Sequence, residues 1–441
     1  MAGETKGPVN VLYVLKCTGT PNFEKIVEKL HKAVKYETKV MSGGEIETSY
    51  RPFRKLGYVI VEKFGVFCWK VDHNFRAEKH VVMDNVQKNF DVAIQERCEK
   101  LLNTFHANHQ PQWEMHIMHR NESNEYAVIW SVHHSYGDAT IFTQVIRYAL
   151  ADEPFSIKIN PLEWNRKNQN FCSKIMNKIE TLLLCTIGSG GFAAVYAQCL
   201  RQSHLGENAL TESRGKNHCR TVKLNLADLK TTQRKLSKES PIRLVSLLYA
   251  YVSPAFERAI SSSKLKKPSK ILASTVEANY PYNSLELCVN VYTLWFDLPL
   301  NIKPLQERLR VIDTRIRNVM DHLGTSFFKI GTDLLGSVIS PVARLLEKSG
   351  SLTQTTYISN IVGPYNYFTI FGGDSVTSMY VYSPISIEEV VTIVAYTYGS
   401  EITLAMVTPD RVIRKLPGFL DDFVAGIKDE MGKYIELSKT R

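Results

Sequence analysis

Ser131-Val132-His133-His134-Ser135-Tyr136-Gly137-Asp138-Ala139-Thr140 decides how this chain is read. An apolar run, Tyr126-Ala127-Val128-Ile129-Trp130, precedes it, rich in the aromatic and β-branched residues that favour a buried strand. From Ala139 to Ala151, Ile141, Phe142, Val145, Ile146 and Ala149 recur at helical spacing. The paired histidines therefore stand where a strand gives way to a loop, with Gly137 at the turn and Asp138 placed to cap the helix. Successive side chains of an extended segment point to opposite faces, so His133 and His134 do not both face one cleft. Histidine, with an ordinary pKa of about 6.5, accepts a proton at neutral pH and suits removal of one from an alcohol or amine nucleophile. The bland alternative is two satisfied core histidines followed by a helix-capping aspartate.

Working outward, the N-terminal part opens with an apolar run over Val9 to Leu15, a strand, and an amphipathic helix over Phe23 to Val34. Tyr58 to Lys70 reads as a hairpin turning near Gly65. His73 and His80 follow it as packing residues, and Asp91 to His106 is a second amphipathic helix. Pro111-Gln112-Trp113-Glu114 stands upstream of the histidines, with Trp113 either a core residue or a wall of the site. His106, His109, His116 and His119 lack acidic or cysteine partners at ligand spacing, so no metal site is expected.

Farther along, Thr221 to Leu226 reads as a strand and Leu226 to Leu236 as a polar helix. Ile242 to Ile260 is a more buried helix, Ile271 to Tyr280 and Cys288 to Leu298 are strands, and Asp410 to Glu436 is a terminal helical stretch broken at Pro417-Gly418. Ser359-Asn360-Ile361-Val362-Gly363-Pro364 approaches a sharp strand end, which turn chemistry alone would explain. Thr181 to Leu200 carries no charged residue. Its length is that of a bilayer span, yet Gly188-Ser189-Gly190-Gly191 interrupts it. A buried crossover helix, a membrane-surface segment and a true span all remain open for it.

The chain has 441 residues, 44% of them hydrophobic, and room for two domains. Its net charge of +10 favours acidic partners such as CoA phosphates or an anionic lipid surface. No nucleic-acid motif is present, and the densest basic patch, Lys264 to Lys270, reads as a solvated loop. The eight cysteines are scattered without zinc spacing, and the N-terminal stretch lacks the apolar core of a signal peptide, which points to a cytoplasmic protein.

Together these motifs carry a family resemblance. His133-His134-Ser135-Tyr136-Gly137-Asp138-Ala139 resembles the HHxxxDG motif of the chloramphenicol-acetyltransferase-like superfamily of CoA-dependent acyltransferases. Within it, the chain is similar to the wax ester synthase/diacylglycerol acyltransferase family. Pro111-Gln112-Trp113-Glu114 resembles that family's Pro-Leu-Trp-Glu element, and Ser359-Asn360-Ile361-Val362-Gly363-Pro364 its Ser-Asn-Val-Pro-Gly-Pro element. Asn290 matches a recurrent asparagine. The chain departs from the pattern at Gln112, at Ala139 in place of glycine, and at Pro241-Ile242-Arg243, where an Asn-Asp pair usually opens a helix.

The resemblance implies an α/β fold of two similar chloramphenicol-acetyltransferase-like subdomains with mixed sheets and an active-site tunnel between them. They would occupy residues 1–165 and 216–441, joined by a connection over 166–215 that contains the apolar segment 181–200. It implies His134 as general base, with His133 packing behind and Asp138 holding the loop. Trp113, Glu114, Ser359, Asn360 and Gly363 become candidates for the tunnel. Acyl-CoA would be a co-substrate rather than a bound cofactor, and a long-chain alcohol or diacylglycerol the acceptor. The expected setting is a membrane or lipid-droplet surface, such as the endoplasmic reticulum. Two alternatives stand beside this: an acyltransferase for a small alcohol or amine, and a non-catalytic lipid- or acyl-CoA-binding protein of the same fold.

Overall fold

The computed structural model describes residues 8–42, 45–87, 89–120, 123–157, 215–237, 240–261, 267–278, 282, 285–320, 354–386 and 389–440. The apolar segment 181–200, the 166–215 connection up to residue 214 and residues 264–266 of the 264–270 patch lie outside them.

The first half runs β1 (Asn10–Thr18), α1 (Phe23–Lys35), β2 (Thr38–Ser42), β3 (Glu45–Tyr50), β4 (Tyr58–Lys63), β5 (Val66–Val71) and β6 (Val81–Asn85). It continues with α2 (Phe90–Leu102), β7 (Trp113–His119), β8 (Glu125–His133) and α3 (Ala139–Val145). Asparagine side chains start the two long helices: Asn22 accepts from the Lys25 amide before α1, and Asn89 from Asp91 and Val92 before α2. Ile26, Val27, Leu30 and Ala33 form the buried stripe of α1.

The second half runs β9 (Asn217–Asn225), α4 (Leu226–Leu236), α5 (Leu244–Ser261), β10 (Lys270–Ala278), β11 (Val291–Pro299), α6 (Leu305–Met320) and β12 (Thr356–Ile361). Then come β13 (Thr369–Ile370), β14 (Asp374–Tyr382), β15 (Val391–Tyr398), β16 (Glu401–Pro409), α7 (Asp410–Lys415) and α8 (Phe419–Lys439). α5 is buried nearly all round because it lies between its sheet and α8, with Gly426 of α8 at the close approach to Ala255.

Among the described residues twelve strands form two six-stranded mixed sheets, ordered β13-β14-β1-β8-β7-β6 and β11-β10-β12-β15-β16-β9, while β2-β3 and β4-β5 are separate two-stranded hairpins. The first sheet is not made by the first half alone. β14 pairs antiparallel with β1, Leu12 opposite Tyr382 and Leu15 opposite Met379, so residues 369–382 leave the second half and complete the sheet that carries the histidines. A sequence division at 165 and 216 puts this pair of strands with the other sheet. Tyr380 and Tyr382 pack in one apolar cluster with Leu12, Ile129, Cys98 and, from β9 and β16, Cys219 and Val407, so the halves share a core. No helix among the described residues is long and apolar enough to cross a membrane.

Candidate active site

β8 ends at His133, and His134 opens a short turn before α3. Three backbone anchors fix that turn. The His134 amide donates to the Val9 carbonyl at 2.8 Å and the His133 amide to the Gln112 carbonyl at 3.0 Å. The Tyr136 hydroxyl donates to the Tyr58 carbonyl at 2.7 Å and accepts the Gln112 amide at 3.0 Å. Gln112 thus supports the loop through its backbone, which leucine at the same position would do equally. Gly137 has φ 169°, extended backbone open to any residue, so the turn does not need glycine's freedom there. Ala139 is the first residue of α3 and is not among the described residues with positive φ, so alanine in place of glycine leaves the loop unstrained.

Asp138 caps α3: its Oδ1 accepts the amides of Thr140 at 2.9 Å and Ile141 at 3.1 Å. Its Oδ2 reaches into the second half, accepting the Asn290 amide at 2.7 Å and the Tyr282 hydroxyl at 2.9 Å. Burial pushes this carboxyl above its ordinary range, against the opposing pull of the donors Asn290, Ile141 and Tyr282. Asn290, matched above by its side-chain type, meets Asp138 through its backbone. Tyr282 carries no sequence signal for this role.

His134 and Asp138 line a cavity of about 420 Å³ whose other wall is the second sheet, with Glu277, Tyr357, Ser359 and Asn360. The pleat explains the division of labour between the histidines: His134 lines the cavity, whereas His133 is not among its lining residues. The His133 Nδ1 is 2.8 Å from the Ser135 hydroxyl and accepts the Ser135 amide at 3.2 Å. Burial, with the neighbouring His134, lowers the pKa of His133 to about 4. The Asn360 Oδ1 is buried and has no hydrogen-bond partner among the described residues.

The other tunnel candidates lie elsewhere. Trp113 is 1% exposed; its ring stacks on His80 at 4.4 Å and its Nε1 donates to the Leu56 carbonyl at 2.7 Å. It is core, because both its ring face and its one polar atom are already used. Glu114 pairs with His116 at 3.0 Å, a contact that lowers its pKa. Gly363 lies against β15, where an added Cβ would fall 2.2 Å from the Thr397 carbonyl oxygen. None of the three lines the cavity.

Sequence reasoning missed the polar groups of the far wall. Glu277 is largely buried, and that burial raises its pKa, opposed by Thr275 and the charge of Arg243. Glu389 is 1% exposed and takes the Gln354 amide at 2.5 Å and the Ser386 amide at 2.6 Å. Their only signal is a glutamate near the end of one strand and one just before another.

Residues 290–429 match the family model of the WS/DGAT C-terminal domain. In structure it is similar to the wax ester synthase/diacylglycerol acyltransferase from Marinobacter aquaeolei VT8, with a TM-score of 0.60 and 13% identity over 98% of this chain and 96% of that one. It is also similar to the first condensation domain of the calcium-dependent antibiotic synthetase, with a TM-score of 0.62 and 10% identity over 97% and 92% of the two chains. A third likeness is to the starter condensation domain of rhizomide synthetase in complex with C8-CoA and Leu-SNAC, with a TM-score of 0.60 and 8% identity over 97% and 90%. No curated protein matches the chain in sequence. The two-sheet architecture is thus the two-subdomain chloramphenicol-acetyltransferase-like fold, and the match over residues 290–429 agrees with the family resemblance read from the motifs.

Proposed function

We propose that this protein moves a fatty acyl group from acyl-CoA to the hydroxyl of a long-chain alcohol or diacylglycerol, forming a wax ester or triacylglycerol. One observation carries the reading: the loop histidine and the Ser359-Asn360 strand line one cavity between the two sheets. The neighbouring structure with C8-CoA supports a CoA thioester as donor in this fold. The surface on which the enzyme works would be a cytoplasmic membrane face or a lipid droplet.

In this mechanism a ring nitrogen of His134 takes the hydroxyl proton as the oxygen attacks the thioester carbonyl carbon. The tetrahedral oxyanion then collapses, the carbon–sulfur bond breaks, and the CoA thiolate recovers the proton from the imidazolium. General base catalysis contributes about 10²–10⁴-fold, and positioning and oxyanion stabilisation the rest. Asp138 positions rather than reacts. Its four donors leave no lone pair aimed at substrate, and they hold the start of α3 against the Tyr282–Asn290 segment.

The polar wall bearing Glu277 favours a second reading, in which the acceptor is a small polar alcohol or an amine. Radiolabelled palmitoyl-CoA incubated with hexadecanol, dioleoylglycerol or a small amino alcohol separates the two by product. Wax ester or triacylglycerol supports the first reading. An acylated small acceptor alone supports the second, and tight binding without any product makes the chain a carrier.

A further inference from the structure

We infer that the β4–β5 hairpin is a membrane-docking finger that inserts its apex into an anionic lipid surface. Among the described residues the two strands pair only with each other, from Tyr58 opposite Val71 to Lys63 opposite Val66. At the apex Phe64 is 103% exposed, Phe67 58% and Val66 44%, the densest run of exposed large apolar side chains in the described structure.

The apex is also conformationally unusual. Phe64 and Gly65 take φ 51° and 74°, the pair of positive values that a tight two-residue hairpin turn demands. Asparagine or aspartate normally stands at the first of these positions, and a bulky side chain there is disfavoured. A phenylalanine held in that conformation with its whole ring in water has nothing among the described residues to repay it.

Charge and shape together specify the partner. Between Arg51 and His80 there are seven lysines and arginines against three acidic residues; on the hairpin itself Lys63 stands at the tip beside Glu62, and Lys70 near the base opposite Val59. A net basic segment behind an apolar tip matches anionic headgroups over an acyl layer. Phe64 at 103% exposure projects wholly into solvent, so a deformable apolar phase would surround all of it, whereas a rigid protein partner would cover one side.

The base of the finger meets the catalytic turn. Trp69 packs edge-on to Tyr136 at 4.7 Å between ring centres, and the Tyr136 hydroxyl holds the Tyr58 carbonyl. Lys55, lying over the Trp69 ring, donates to the Leu287 carbonyl at 2.7 Å. A docked finger would therefore hold the His134 loop close to the lipid surface, where water-insoluble substrates reside. This deepens the lipid-ester reading, yet vesicle binding can be measured without turnover.

The test is co-flotation of the full chain with phosphatidylcholine vesicles, with and without about one-third phosphatidylserine. Wild type binds the anionic vesicles. Phe64→Asp/Phe67→Asp loses about tenfold or more in partitioning, and Lys63→Glu/Lys70→Glu weakens binding to anionic vesicles only. Phe64→Asn, which suits the turn, loses binding with no fall in melting temperature, guarding against a folding artefact. Rates with a short-chain acyl-CoA and a water-soluble alcohol stay unchanged in these variants. Absence of wild-type binding, or undiminished binding by the double phenylalanine variant, overturns the inference. So does self-association that depends on Phe64 without vesicle binding, which would make the occupant a second copy. Vesicle binding without turnover on any acceptor would instead leave the finger standing and remove the acyltransferase reading.

Discussion

The Oδ2 of Asp138 accepts the backbone amide of Asn290 at 2.7 Å, joining the helix cap beside His134 to the edge of the second sheet. The two residues are 152 positions apart, and the carboxylate at their junction is 2% exposed. Asp138→Asn turns an amide N–H₂ towards groups that are themselves donors, so a buried donor loses its acceptor. We expect a loss of about 2–3 kcal/mol in urea unfolding and a fall in kcat larger than the change in KM. Tyr282→Phe, which removes one of four donors, should lose about 1–2 kcal/mol and keep most activity.

Acid should destabilise the fold through His133 and His106. Burial lowers both from an ordinary 6.5 to about 4. Between these values the unfolded chain takes up protons that the folded one refuses, so stability rises with pH across that window and is flat for these groups outside it. Chemical denaturation at pH 7 and pH 4.5 should show a smaller loss for His133→Gln and His106→Gln than for wild type. An unchanged pH slope in both variants would contradict the burial argument.

Glu277 faces the cavity from the wall opposite His134 and would accept a hydrogen bond from a polar acceptor. Glu277→Leu should raise the acceptor KM about tenfold with the acyl-CoA KM unchanged, since a hydrogen bond to a charged group contributes about 1.5–3 kcal/mol. A rise in the acyl-CoA KM instead would move Glu277 to the donor side.

The Ser-Asn-x-x-Gly-Pro element divides between cavity lining and packing. Gly363→Ala would drive its new carbon to 2.2 Å from the Thr397 carbonyl and 2.6 Å from the Tyr396 ring, so β15 or the loop must move. A loss of about 2–3 kcal/mol in a thermal melt is expected. Asn360→Ala should leave the melt nearly unchanged and lower kcat/KM.

Local features were legible in the sequence because they depend on neighbours along the chain. The period of Ile26, Val27, Leu30 and Ala33 marks α1, and the run before His133 with the cap at Asp138 marks the strand-loop-helix setting. The hairpin turn at Phe64-Gly65 was legible for the same reason. Long-range pairing was not. Nothing in residues 369–382 says that they join β1 rather than their own half, because an apolar strand shows only that it is buried and not beside which partner. Tyr282 and Glu277 escaped for a like cause, since each gains its role from a residue or cavity far away in sequence. Trp113 misled because a tryptophan near a catalytic strand reads equally as wall or core, and only its stacking on His80 and its bond to Leu56 distinguish the two.

The most direct test of the central claim is acceptor-dependent CoA release from palmitoyl-CoA by wild type, His134→Ala and His133→Ala. The account predicts that His134→Ala loses about 10²-fold or more, as removal of a general base should. His133→Ala, whose ring is turned towards Ser135, should keep most of the rate. Turnover that survives in His134→Ala but fails in His133→Ala would contradict the assignment of the base.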